Sequence, residues 1–230
     1  MKLARSLLLL GVVATAFVAA TAANAAPGVS PNGMRGLGGA TRAIEIASNG
    51  MRTTHATART YQRVGERWRL VHEGMPARLG WAGLSHARSR VAGDETTPIG
   101  DYGFVFDFGS RPDPGVDGFE WRHLGRGDCW AGTRADYNRW VERSPCAPED
   151  EDLWRNAGRA YRYAAVIGFN YAHPVFGRGS GIFLHVTTHS PTEGCVSMPE
   201  ADLLGVLRWM RPGTRILIGP SRWLRSRKAP

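Results

Sequence analysis

From Arg42 onward the chain repeats one pattern: short apolar or alternating runs, each closed by Gly, Pro or Asp before a helical period can establish itself. Runs of that kind suit strands, whose side chains alternate between two faces and whose length rarely passes ten residues. The spacing predicts strands at Ala43–Ala47, Ala58–Val64 leading into Trp68–His72, Tyr102–Phe108, Tyr163–Phe169, Gly181–Thr187 and Thr214–Ile218. AAVIGF, from Ala164 to Phe169, is apolar on both faces and belongs in the centre of a sheet. Two segments read as helices. Pro148 to Ala160 opens on Glu149, Asp150, Glu151 and Asp152, carboxylates suited to the positive end of a helix dipole. Pro199 to Met210 has proline in its first turn, Leu203 and Leu207 one turn apart, and Pro212-Gly213 as its stop. No internal repeat is visible, and the outline is a mainly β domain with a few peripheral helices.

The N-terminus sets the compartment. Met1–Ala25 carries Lys2 and Arg5, runs apolar from Leu7 to Ala20 and ends in Ala23-Asn24-Ala25, the order of a secretory signal. That run is shorter than the roughly 20 apolar residues of a membrane span, and no later stretch approaches that length. Export to a periplasm or cell wall is expected, without stable membrane insertion. Ala26 to Thr41 is rich in Gly, Pro and small residues and reads as a flexible leader. One domain, Arg42–Gly219, follows, and 43% hydrophobic residues with eight tryptophans can build its core. Residues 220–230 form a basic tail with Arg222, Arg225, Arg227 and Lys228, expected as a frayed end. Without Lys2 and Arg5 the formal charge falls from +9 to +7, nearly all of it arginine. Outside the cytoplasm that sign favours anionic wall polymers, although a solvated arginine face is the plainer use. Nucleic acid is not expected, because no aromatic-basic motif is present. A monomer is expected.

Three cysteines in an oxidising compartment leave one over. Cys129 and Cys146 flank a polar, loop-like segment and form the natural pair, which leaves Cys195 as a free thiol. A free cysteine is often a small buried hydrophobe, yet a reduced thiol outside the cell is an oxidation liability, which favours a chemical use. A nucleophilic thiol needs a base, a positive charge or a helix N-terminus nearby. Pro199 starts a helix four residues on, and GIFLHVTTH offers His185 and His189 at i and i+4, one face of an unbroken strand. Gly194 lets the backbone turn tightly and aim amides at a substrate carbonyl, as an oxyanion hole requires. Zinc is the competing use of His185, His189, Cys195 and His173. HVTTH, however, lacks the glutamate of H-E-x-x-H and is β-branched where that motif needs a helix, so no metal is expected.

IFLHV at 182–186 followed by PTEGCVSM at 191–198 resembles the active-site signature of the L,D-transpeptidase family, the YkuD domain. GDETTPIGDYGF, Gly93 to Phe104, resembles that family's Thr-Pro-x-Gly-x-Phe strand through Thr97, Pro98 and Gly100, with Tyr102 where Phe is usual. WRLVHEGMPARLGWAGL at 68–84, YRYAAVIGFN at 161–170 and RWMRPGTRILIG extend the likeness across most of Arg42–Gly219. The resemblance implies a β-sandwich-like fold, Cys195 as nucleophile, His185 as general base, Thr192 as the Ser/Thr of the signature, and oxyanion amides at Gly194 and Cys195. It also implies peptidoglycan stem peptides as substrates, a Cys195 thioester with loss of the terminal D-alanine, a 3→3 cross-link, and no metal or organic cofactor.

The chain departs from that pattern at three places. Ser197 stands where many members have arginine, Val186 where many have glycine, and only ten positions separate His185 from Cys195. An arginine at 197 could hold a substrate carboxylate, so Ser197 bears on acceptor choice. Thr192, His189 and Ser197 are the candidate substrate contacts. Two other readings stand beside transfer: a same-site hydrolase in which water resolves the thioester, and a non-catalytic wall-binding domain that uses the basic surface.

Overall fold

The computed structural model describes residues 37–226. The signal segment, most of the leader and the last four residues lie outside them. Among the described residues the elements are β1 (Arg42–Ser48), β2 (His55–Val64), β3 (Arg67–Arg78), β4 (Leu84–His86), β5 (Thr97–Gly109), β6 (Trp121–His123), β7 (Asp128–Trp130), β8 (Trp140–Glu142), β9 (Glu151–Asp152), β10 (Ala164–Ile167), β11 (Phe183–Val186), β12 (Val196–Met198), α1 (Glu200–Trp209), β13 (Arg215–Pro220) and α2 (Ser221–Ser226). The molecule is mainly β, as the punctuated runs dictate.

One ten-stranded sheet runs β10-β11-β12-β3-β2-β1-β13-β5-β4, with β6 added to β5. Strand β5 is long enough to serve two neighbours: Gly100–Gly103 pair with β13, while Phe104, Asp107 and Phe108 pair with β10. The second pairing brings the ends of the sheet together, so the sandwich-like form arises from a sheet folded back on itself. Alternation along each strand then sorts the side chains. Ile44, Ile46, Leu184, Val186, Val196 and Met198 enter one core with Leu203, Val206 and Leu207 of α1. Their strand neighbours face the other way: Phe106, Phe108, Phe183 and Cys195 pack with Trp130 and Leu153. Each fully buried phenylalanine is worth about 2–3 kcal/mol, and Phe108 meets Phe183 edge-on at 5.2 Å between centroids.

Trp130 and its neighbours belong to a second, three-stranded sheet, β8-β7-β9. A Cys129–Cys146 disulfide ties β7 to the segment leading into β9. This arrangement corrects the expected helix at Pro148–Ala160. The Asp150 carboxylate accepts from the amides of Ala147 and Gly132, both at 3.0 Å, and pairs with Arg143 Nε at 3.1 Å. Glu151 and Asp152 then align with Trp130 and Cys129 as β9, and only a 3-10 turn, Leu153–Asn156, follows. The acidic run therefore anchors a loop to a small sheet.

Two further expectations change. The basic tail begins as α2, whose Leu224 is buried with Tyr61 and Leu217. The end of the leader is packed as well, since Leu37 and Ala40 join the same cluster. No helix among the described residues is long and apolar enough to cross a membrane.

Candidate active site

A cleft of about 560 Å³ is lined by Cys195, His185, Thr192, Arg90, Glu151 and Tyr161 among others. Parallel pairing of β11 with β12 sets Leu184 against Val196 and His185 against Ser197, which brings the His185 and Cys195 segments side by side. Cys195 is buried, 9% exposed, and is the free cysteine. Its thiol donates to the Gly181 carbonyl at 3.2 Å, and the Phe183 amide donates to the sulfur at 3.3 Å. The imidazole of His185 is also buried, with Nδ1 at 2.8 Å from the Val186 carbonyl. That carbonyl can only accept, so Nδ1 carries the proton and Nε2 is left as a base. The Tyr161 ring stands perpendicular to the imidazole at 5.7 Å.

Burial keeps both groups neutral. It pushes the Cys195 thiol up to about 12, a rise the Phe183 amide moderates and the Glu151 charge adds to. It pulls His185 down to about 4, against the hydrogen bond to Val186. Burial of both groups therefore favours a neutral thiol and an unprotonated imidazole lining one cleft. Such a pair can deprotonate the sulfur in step with its attack on a carbonyl, by general-base chemistry. Tyr161 donates its hydroxyl to Glu151, whose carboxyl burial raises to about 7.

The loop before Cys195 is held by two threonines. Thr192 Oγ1 donates to the Cys195 carbonyl at 2.7 Å and accepts from the Gly194 amide at 3.2 Å. Thr97, from the Thr-Pro-x-Gly stretch, donates to the same carbonyl at 3.2 Å and accepts from the Gly80 amide at 2.8 Å. The two hallmark stretches, 98 residues apart, therefore meet at one backbone oxygen. Gly100 of that stretch has its own reason: a Cβ there would lie 2.3 Å from the Tyr102 hydroxyl, which donates to the Ile99 carbonyl. Gly194 sits at φ +135°, and a Cβ there would meet the Thr96 carbonyl at 2.9 Å. This backbone belongs to glycine alone.

Several expected site residues are placed differently. The Gly194 amide is turned to Thr192, so of the two candidate oxyanion donors the Cys195 amide is the one without a hydrogen bond among the described residues. Strand β11 ends at Val186, so His185 and His189 do not share a face; His189 is exposed, at φ +68°, outside the cleft lining. Ser197 is 1% exposed, its hydroxyl has no hydrogen bond among the described residues, and it does not line the cleft. The N-terminus of α1 is not aimed at the sulfur either, because α1 packs against Val196 and Met198 on the opposite face from Cys195, and its Glu200 pairs with Arg162.

Sequence reading missed Arg90, Glu151 and Tyr161, and gave Thr97 no role. Thr97 carried a signal in its motif. Arg90 carried none, being one of 27 arginines without distinctive spacing.

The helical cell shape determining protein Pgp2 from Campylobacter jejuni is a solved structure similar to this one, with TM-score 0.38 and 14% identity over 78% of this chain and 48% of that chain. This chain thus spans about half the length of that protein's matched chain. No curated protein matches. Residues 53–218 match the family YkuD, L,D-transpeptidase catalytic domain, a span that begins just before β2, ends within β13 and includes Thr97, His185, Thr192 and Cys195. The chain belongs to the YkuD family of L,D-transpeptidase catalytic domains.

Proposed function

We propose that this chain is an exported enzyme that cuts and rejoins peptidoglycan stem peptides through Cys195. His185 Nε2 takes the thiol proton as Sγ attacks the carbonyl of the third residue of a stem tetrapeptide. The same proton passes to the departing amine, the terminal D-alanine leaves, and a thioester remains on Cys195. The Cys195 amide serves the developing oxyanion. An amine of a neighbouring stem then attacks the thioester and forms the cross-link. Thr97 and Thr192 are positioning residues that hold the Cys195 carbonyl.

The observation that carries this reading is a buried free thiol and a buried imidazole in one cleft, with Nδ1 locked on a backbone carbonyl so that Nε2 is the available base. Family membership supports the reaction class. The basic charge supports residence at an anionic wall. The mature protein, incubated with a muropeptide bearing a tetrapeptide stem, should yield dimers that have lost one D-alanine, read by mass spectrometry. Shortened monomers alone would assign the chain to hydrolysis, and unchanged substrate would overturn the reading.

A further inference from the structure

Arg90 is a buried cation at the reaction centre. It is only 2% exposed, yet it lines the cleft that holds Cys195. Nη2 reaches Asp94 Oδ1 at 3.0 Å, while Nε and Nη1 are buried without a hydrogen-bond partner among the described residues. Asp94 in turn is held by the amides of Val91 and Thr96 and by the Thr96 hydroxyl, which fixes the loop carrying the arginine. The guanidinium lies over the Phe169 ring at 5.5 Å, and a Cβ on Gly194 would come within 3.3 Å of both Nη1 and Nη2. Buried N–H groups of a charged side chain are costly to leave unpaired, so an empty donor beside a reaction centre implies an acceptor that arrives with the ligand.

Geometry narrows that acceptor. Arg90 packs against Gly194, the residue next to Cys195, and Arg90 and Cys195 line one cleft. In a peptide under attack, the carboxylate of a single terminal residue lies close to the reacting carbonyl carbon, with only N and Cα between. A longer leaving segment would put its carboxylate farther away. Nearby Glu95 and Glu193 are exposed and give Nε and Nη1 no hydrogen bond, and Glu151 accepts from Tyr161.

We propose that Arg90 is the specificity residue of the cleft, receiving the free carboxylate of the one residue that leaves when Cys195 attacks. This rests on the reaction proposed above and deepens it: the enzyme acts at free peptide ends, not at internal bonds.

The test uses Cys195→Ala protein, which binds without reacting, and two calorimetric titrants: a stem tetrapeptide with a free terminal carboxylate and its terminal carboxamide. The acid should bind at least about tenfold more tightly, as expected for a charge-assisted pair, and Arg90→Gln in the same background should abolish the difference while Arg90→Lys keeps part of it. Thermal melts report whether the variants fold, and the comparison of the two peptides on unaltered Arg90 stands without them. Equal binding of acid and amide overturns the assignment, as does discrimination that survives Arg90→Gln. A preference for the acid with no thioester on unmodified protein would sink the reaction and leave Arg90 as a carboxylate receptor. Equal thioester formation from both peptides would sink Arg90 and leave the reaction.

Discussion

Thr97→Val keeps the shape of a fully buried side chain and removes only its hydroxyl, which makes it a clean test of how the Cys195 loop is held. Thr97 Oγ1 accepts from the Gly80 amide at 2.8 Å and donates to the Cys195 carbonyl at 3.2 Å. Taking the hydroxyl acceptor from the buried Gly80 amide costs about 1–3 kcal/mol. The Cys195 carbonyl retains Thr192 at 2.7 Å and loses about 1 kcal/mol more. Together these give about 2–4 kcal/mol, a fall in Tm of roughly 5–12 °C for a domain of this size. Thermal and urea unfolding should show this loss, with Thr97→Ser, which keeps the hydroxyl, within about 1 kcal/mol of the parent. Thr97→Val combined with Thr192→Val strips the carbonyl of both donors, so the pair should couple by more than about 0.5 kcal/mol. A Thr97→Val protein as stable as Thr97→Ser, or strict additivity in the double variant, would refute this account of the loop.

The buried, neutral thiol sets a pH signature: with Cys195 near 12, alkylation by iodoacetamide should keep rising with pH through 9 and 10, and a plateau near the ordinary thiol value would contradict it. His185 must be unprotonated to act, so the acid limb of kcat/KM should fall near pH 4, below the ordinary histidine value, and a limb above 6 would count against the assignment. Asp107 is fully buried, both its carboxylate oxygens lack hydrogen bonds among the described residues, and burial followed by the Asp113 charge raises it to about 8 from 3.8. Its protonated form therefore favours the fold below pH 3.8, and that contribution disappears as pH rises through 8. Asp107→Asn should accordingly be more stable than the parent by about 4 kcal/mol at pH 7 and nearly equal to it at pH 4; equal stabilities at both pH values would exclude this. Replacing Cys129 and Cys146 by serine opens a loop of 17 positions and should cost about 3 kcal/mol in urea unfolding, with no change in Cys195 alkylation at low denaturant.

What the sequence revealed depended on how local each signal was. Alternation located β1, β10, β11 and β13 within a few residues, because each is a short run facing a core on at least one side. Strand β12 is three residues long, pressed between the Gly-Cys turn and α1, and no period fits in that space. The Pro148–Ala160 acids looked like a helix start because carboxylates serve either purpose; what decided was the nearby disulfide-tied sheet, a contact outside that segment. Cys195 and His185 were legible from compartment and motif, and Thr97 was visible as a motif residue whose partner lies far along the chain. Arg90 was invisible because burial and two N–H groups without a partner among the described residues are properties of the fold.

Rapid-quench mass spectrometry of the intact protein mixed with a stem tetrapeptide tests most directly whether Cys195 carries the chemistry. The predicted result is a transient gain equal to the peptide minus its terminal amino acid, mapped to the fragment containing Cys195, absent in Cys195→Ala and formed roughly 100-fold or more slowly in His185→Ala. Peptide consumption without an adduct, or an adduct on any other residue, would contradict it.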